Sequence, residues 1–336
     1  MKTISYDVRG QTLQEPRNHA LLDLLTNRTT SRVAVVLAIT RGRGSVKIHC
    51  SMSYSNKLRY LLWAGSRFVN ADTSCPACSE AQTVLVRRKY GVTALYRCPS
   101  CEVMFRVPKA SPEKEVQFYQ RDYEQGFTTD CPTPDELTRL RRCCFAGTEK
   151  DYSSYVAVLR AMRLAPGSSI FDFGCSWGYG SWQLRHAGYR VYSFEVSRPR
   201  ARYAVENLQC ELFPPDKLPE KVDCFFAAHV IEHLTNPRVI WERALDAIKP
   251  AGKLVLFLPN GEPSRERLHR GYHQLWGRVH PLLLSPLALM RMGELYGFAV
   301  RCYSSPYNVQ EIAKETLGKL TGDELLIIGT LNTVTA

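Results

Sequence analysis

The chain has 336 residues, 45% of them hydrophobic, and 44 lysines and arginines stand against 32 aspartates and glutamates. That length suits one full domain with a small appendage, the apolar share supplies a substantial core, and no repeat or low-complexity tract is present. The net charge of +12 invites nucleic acid or phosphorylated partners, but it is uneven. Residues 1–51 carry eight basic side chains against Asp7, Glu15 and Asp23, so that segment alone contributes +5. Nucleic acid is therefore the second expectation for a partner and not the first.

Twelve cysteines suggest a disulfide scaffold only in short secreted chains. The opening residues lack a signal-peptide pattern. The apolar run "VAVVLAI" is too brief to span a bilayer and is bounded by Arg32 and Arg41. These features give the expectation of a reducing, cytoplasmic setting with no membrane span.

In chain order, residues 1–51 show no sustained periodicity. They read as an extension outside the fold, with Met52 as an alternative start. Residues 52–74 read as a lead-in helix with Leu58, Leu61, Leu62 and Phe68 apolar. In residues 75–108 two cysteine pairs flank two β-rich runs divided by Gly91, as a hairpin requires. Residues 109–149 form a polar, aromatic-bearing connector that turns helical at "PDELTRLRR".

From residue 150 to 333 strands and helices alternate, which predicts a doubly wound, mostly parallel α/β sheet. Within it, "NPRVIWERALDAIKPAG" reads as a helix with Asn236 at its N-cap, Pro237 in its first turn and Gly252 beyond its end. Cys143 and Cys144, on a helical pattern, read as core packing.

Cys75, Cys78, Cys98 and Cys101 follow a C-x2-C-x19-C-x2-C spacing. Four thiolates on two knuckles joined by a hairpin make a closed tetrahedral zinc site, structural because no coordination position is left open.

In "IFDFGCSWGYGSW" a strand runs through a glycine-rich turn into a helix. Glu195 ends the next strand, 23 residues beyond Asp172, where a carboxylate can accept both hydroxyls of a ribose. Glycines at 174, 178 and 180 do not match the dinucleotide spacing G-x-G-x-x-G. An adenosine cofactor bearing a sulfonium and an amino acid fits better, with an acid near the first strand end for its ammonium group.

These residues resemble motif I of class I S-adenosylmethionine-dependent methyltransferases. "HVIEHLTNP" with "AIKPAGKLVLFLPN" is similar to that family's fourth and fifth strand regions, and "GFAVRC…ELLIIG" to its final hairpin. The resemblance, to the small-molecule or glycan type (methyltransferase domain 23-like), implies a seven-stranded Rossmann-like sheet preceded by the zinc ribbon. It implies S-adenosyl-L-methionine held by Asp172, Gly174, Cys175, Gly178, Glu195, Val196, Ala228 and His229, with adenine near residues 213–217. Ser176 departs from the pattern, standing where many members have glycine. A ribbon followed by "PEKEVQFYQRDYEQGF" resembles the start of methyltransferases acting on sugars or glycan precursors, which implies roles for Tyr119 and Tyr123 over the cleft.

"HVIEHL" places His229, Glu232 and His233 at the carboxyl end of the fourth strand, where open α/β sheets bind ligands. A hydroxyl acceptor must lose its proton, so His233 or His229 is expected as general base, oriented by Glu232. A structural Glu–His pair and a divalent metal on one helical face are the two other readings. His280, in the insertion before the sixth strand, is a candidate acceptor contact. The rival function is an RNA or ribosome-related methyltransferase, with Arg87, Arg88, Lys89 and Arg97 gripping phosphates and Tyr90 and Tyr96 stacking bases.

Overall fold

The structure is a computed structural model that describes residues 54–118, 120, 130–267 and 271–332. The reading of residues 1–51 as an extension, and the assignments of Tyr119 and Tyr123, lie outside the described residues. The elements run α1 (Tyr54–Phe68), β1 (Val84–Lys89), β2 (Thr93–Arg97), β3 (Met104–Val107), α2 (Pro112–Gln117), α3 (Pro134–Arg142) and α4 (Ser153–Ala161). They continue with β4 (Ser169–Phe173), α5 (Tyr179–His186), β5 (Arg190–Phe194), α6 (Arg198–Leu208), β6 (Glu211–Leu212) and β7 (Val222–Ala228). After a 3-10 turn at Ile231–His233 come α7 (Arg238–Ala247), β8 (Ile248–Pro259), β9 (Leu282–Leu283), α8 (Pro286–Leu295), β10 (Phe298–Ser304), α9 (Val309–Ala313) and β11 (Glu324–Leu331).

Seven strands form one sheet in the order β10-β11-β8-β7-β4-β5-β6, with β11 antiparallel to both neighbours. Chain order runs outward in opposite directions from β4 and β7, so their carboxyl ends border the switch-point crevice. All five residues of β4 are buried, as a strand covered on both faces requires. One face packs Phe171, Phe225 and Leu254 with Trp241 and Phe298, and the other packs Ile170, Phe226 and Phe257 with Tyr155.

A second sheet, β1-β2-β3-β9, contains the cysteine ribbon. Tyr90 and Gly91 take left-handed backbone at its hairpin, where a tight turn needs it. Its last strand comes from far along the chain, with Phe105 paired to Leu282 and Met104 to Leu283. The ribbon cysteines, Val103 and Phe105 share one apolar cluster with Leu282, Leu289 and Trp241. Two arginines clasp the knuckles. Arg238 at the start of α7 donates to the Ala77 carbonyl, and Arg291 of α8 donates to the Ser100 carbonyl, both at 2.8 Å.

Several local expectations are corrected. The helix expected to reach Gly252 stops at Ala247, and the next strand begins at Ile248, since pairing of Val222 with Ile248 continues the sheet. At its other end Pro237 occupies the cap position, while Asn236 Oδ1 accepts the Arg238 N–H at 3.1 Å. Cys143 and Cys144 are exposed; the left-handed turn at Cys144 and Phe145 buries the Phe145 ring in their place.

Candidate functional site

The turn after β4 is shaped by two left-handed glycines. Gly174 has φ +91, and a Cβ there would lie 2.6 Å from Val230 Cγ2. Gly178 has φ +90, and its Cβ would lie 2.7 Å from Cys210 Sγ. Both positions exclude a side chain on backbone and packing grounds alike. The amides of Gly174 and Cys175 donate to the Phe194 carbonyl at 2.8 and 2.9 Å, which fixes the turn against β5. Cys175 itself is buried.

Glu195, at the end of β5, accepts the Ser176 and Ser197 amides on its two carboxylate oxygens, at 2.9 and 2.7 Å. Burial raises its pKa against those bonds. Val196 accepts Gln120 Nε2 at 2.5 Å, and the Arg198 amide donates to Gln120 Oε1, so the connector is tied to this strand end. Asp172 takes a position the sequence did not suggest. Its carboxylate is buried and accepts Ser181 Oγ at 2.5 Å, and burial pushes its pKa up to about 7. Phe213 packs edge-on against Tyr192.

Ser176 Oγ is buried and has no hydrogen-bond partner among the described residues. An orphaned hydroxyl in a left-handed turn beside a carboxylate fits a polar cofactor group. The four ribbon sulfurs fit zinc. Cys75 and Cys101, and likewise Cys78 and Cys98, have Sγ atoms 3.4 Å apart, and all four lie within 4.8 Å of one another. Thiolates at about 2.3 Å from one tetrahedral ion stand at comparable spacing. The Ala77 and Cys101 amides point at Cys75 and Cys98 Sγ, the donors expected around bound thiolate.

Beyond β7, half-buried Ala228 leads to His229, which has φ +56. Left-handed backbone at a histidine is strained, and such strain gathers where side chains must be aimed. The ring lies in a recess that solvent reaches, with 44% of the side chain exposed. Its Nδ1 is 3.3 Å from Glu232 Oε1 and its Nε2 is 3.1 Å from Glu324 Oε2. Burial opposes charge on this imidazole, but the two carboxylates override it and hold the pKa well above the ordinary histidine range. Tyr155 and Tyr307 also donate to Glu324.

His233 points the other way. Its Nδ1 donates to the Val279 carbonyl at 3.1 Å, and its ring centroid is 4.5 Å from that of His280, at 72°. Burial first, then His280, lowers its pKa to about 4; burial also lowers that of His280. Ligand atoms of Glu232, His233 and His280 lie within 4.8 Å of one another. The fold thus gathers His229, Glu232, His233 and His280, with Glu232 between the two sets. Tyr155, Tyr307, Glu324 and Arg106 were missed in the sequence. They come from distant elements, and no local pattern marks them.

A six-parallel, one-antiparallel sheet with a glycine turn and a strand-end acid at its switch point defines the class I, S-adenosylmethionine-dependent methyltransferase fold. Residues 148–303 match the family model described as a methyltransferase domain, so the chain carries such a domain. It is also similar to an uncharacterized 37.1 kDa protein in transposon TN4556 of Streptomyces fradiae, 28% identical over 162 residues. That match covers 45% of each protein, so the chain spans about half the length of this curated relative. Among solved structures it is similar to a magnesium protoporphyrin IX methyltransferase from Synechocystis with bound SAH, at 16% identity and TM-score 0.44, covering 66% of this chain and 100% of that one. A TehB-like SAM-dependent methyltransferase from Corynebacterium glutamicum matches at 18% identity and TM-score 0.40, covering 59% and 97%.

Proposed function

We propose that the protein transfers a methyl group from S-adenosylmethionine to a hydroxyl of a small-molecule or glycan-type acceptor. One observation carries this reading. Gly174 of the cofactor turn packs directly on Val230, which lies between His229 and His233, so the cofactor turn and the histidine cluster adjoin.

The cofactor supplies an electrophilic methyl on a sulfonium. Glu195 and Ser176 would hold its polar groups, and Ala228 and Val196 would border it from the ends of β7 and β5. Of the two histidines expected as base, His233 is the candidate that stays unprotonated at neutral pH, although a pKa lowered to about 4 makes it a weak base. Both ring nitrogens of His229 face carboxylates, so both are donors and neither is free to take a proton. His229 instead orients Glu232, while the acceptor oxygen is received at Glu232, His233 and His280.

The ribbon would carry a structural zinc and brace the acceptor side. Its basic residues are largely engaged within the fold, which favours this reading over a phosphate grip. Lys89 Nζ donates to the His273 and Trp276 carbonyls at 2.9 Å each, Arg87 pairs with Glu266, and Arg97 pairs with Glu102. Tyr96 stacks on Phe105.

Calorimetry with S-adenosylmethionine tests the cofactor assignment. Wild type should bind, and Glu195→Ala should bind much more weakly; a wild type that does not bind sinks the reading. Turnover against sugar nucleotides, phenols and RNA then tests the acceptor. A product formed on RNA, with affinity falling steeply as salt rises, would replace the small acceptor by nucleic acid.

A further inference from the structure

The acceptor side of the cleft holds a group of ligating side chains whose arrangement exceeds what a lone base requires. We propose that Glu232, His233 and His280 form a binding site for a divalent transition cation that presents the acceptor oxygen. The inference deepens the reading above and rests on it for the acceptor, though not for the cation.

Three observations converge. First, the three side chains offer one carboxylate oxygen and two imidazole nitrogens within 4.8 Å of one another, so small side-chain rotations bring them onto one ion at bonds of about 2.1 Å. Second, Glu232 is 3% exposed; its Oε1 faces His229 Nδ1 at 3.3 Å, while Oε2 has no hydrogen bond among the described residues. A buried carboxylate oxygen without a donor is costly unless a cation or further donors meet it. The His229 contact at 3.3 Å from Oε1 orients the group from one side.

Third, His233 is backed as metal-binding imidazoles are, and the loop that places His280 beside it is fixed. His233 Nδ1 donates to the Val279 carbonyl at 3.1 Å, and the His280 ring packs edge-on against the His233 ring, their centroids 4.5 Å apart. Fixing one nitrogen as N–H directs the other, with its lone pair, toward the cluster. The loop that carries His280 is itself held down. The Arg106 amide donates to the Pro281 carbonyl at 2.8 Å, and Arg106 Nη1 reaches the Gly277 and Arg278 carbonyls at 3.1 Å each. This is a site braced by two sheets.

The donor set of two nitrogens and one carboxylate suits zinc, cobalt or manganese better than calcium or magnesium. Three protein ligands leave coordination positions open, whereas the four-cysteine ribbon has none. An acceptor hydroxyl bound at an open position would be acidified by the cation, as bound water is. In the loaded state His233 would be a ligand and not the base, and the acidified hydroxyl would lose its proton to water.

The test uses the full chain with its ribbon metal retained, dialysed against a mild chelator and titrated with Co2+ alone. Wild type should take up one equivalent without a thiolate-to-cobalt charge-transfer band. Glu232→Gln and His280→Gln should each weaken that uptake about 100-fold or more, with ribbon metal and near-ultraviolet circular dichroism unchanged. No uptake by wild type, uptake accompanied by the thiolate band, or equal uptake by either folded variant overturns the proposal. S-adenosylmethionine calorimetry on the same samples separates the two claims. Cofactor binding without cobalt uptake removes the cation and leaves the methyltransferase reading standing.

Discussion

The Arg106 guanidinium lies 3.1 Å from the carbonyl of Gly277, 171 residues further along, joining the cysteine ribbon to the loop that ends at His280. The side chain is buried, and the same nitrogen also reaches the Arg278 carbonyl. The ribbon therefore positions one wall of the proposed acceptor site.

Arg106→Met should cost stability and turnover separately. Leaving buried carbonyls without a donor costs about 1–3 kcal/mol each, read as a lower urea midpoint. kcat should fall with little change in cofactor affinity, because the cofactor turn lies on other strands. Lysine at 106 should restore part of the stability and less of kcat, since it lacks the planar fork. An unchanged kcat in a folded Arg106→Met protein would contradict the positioning role.

Gly174→Ala should be destabilising by about 3 kcal/mol, combining left-handed strain with overlap on Val230. The second substitution Val230→Ala should recover the overlap component and not the strain. Equal unfolding free energies for the single and double variants would show that the contact does not matter.

Removing the ribbon metal should lower the melting temperature of the whole chain in one transition. The cysteines share a core cluster with Leu282, Leu289 and Trp241, so the ribbon has no separate core to lose. Cys98→Ser followed by calorimetric scanning checks this. A separate low-temperature transition, with the main one unmoved, would show an independent ribbon.

Asp172 gives a pH dependence of defined sign. Its pKa is raised from 3.8 to about 7 in the folded protein, so between these values the native state holds the proton more tightly than the unfolded chain. Its contribution to stability is fully present below about pH 4 and is lost as pH rises through 7. Asp172→Asn should therefore gain stability relative to wild type between pH 5 and 8, measured by urea unfolding. A difference independent of pH would contradict the buried protonated acid.

His233→Ala should abolish turnover while cofactor affinity stays close to that of wild type. Collapse of cofactor affinity, read by calorimetry, would assign His233 a structural task instead.

The alternation from "SSIFDFG" to "ELLIIGTLN" determined the sheet, because central parallel strands must be continuously apolar and crossover helices must follow them. The cysteine spacing likewise determined the ribbon, since two knuckles and a hairpin bring four sulfurs together by local geometry. The glycine turn and Glu195 were legible for the same reason: both lie on adjacent strand ends of one βαβ unit. Only the tertiary structure decided that Tyr155, Tyr307 and Glu324 converge on His229, that Leu282 completes the ribbon sheet, and that Asp172 turns inward to Ser181. Contacts across tens to hundreds of residues leave no period in the chain, because they are selected by the summed packing of whole elements. That is also why the sequence offered His233 as a base and His280 as an acceptor contact without showing that their ring centroids lie 4.5 Å apart.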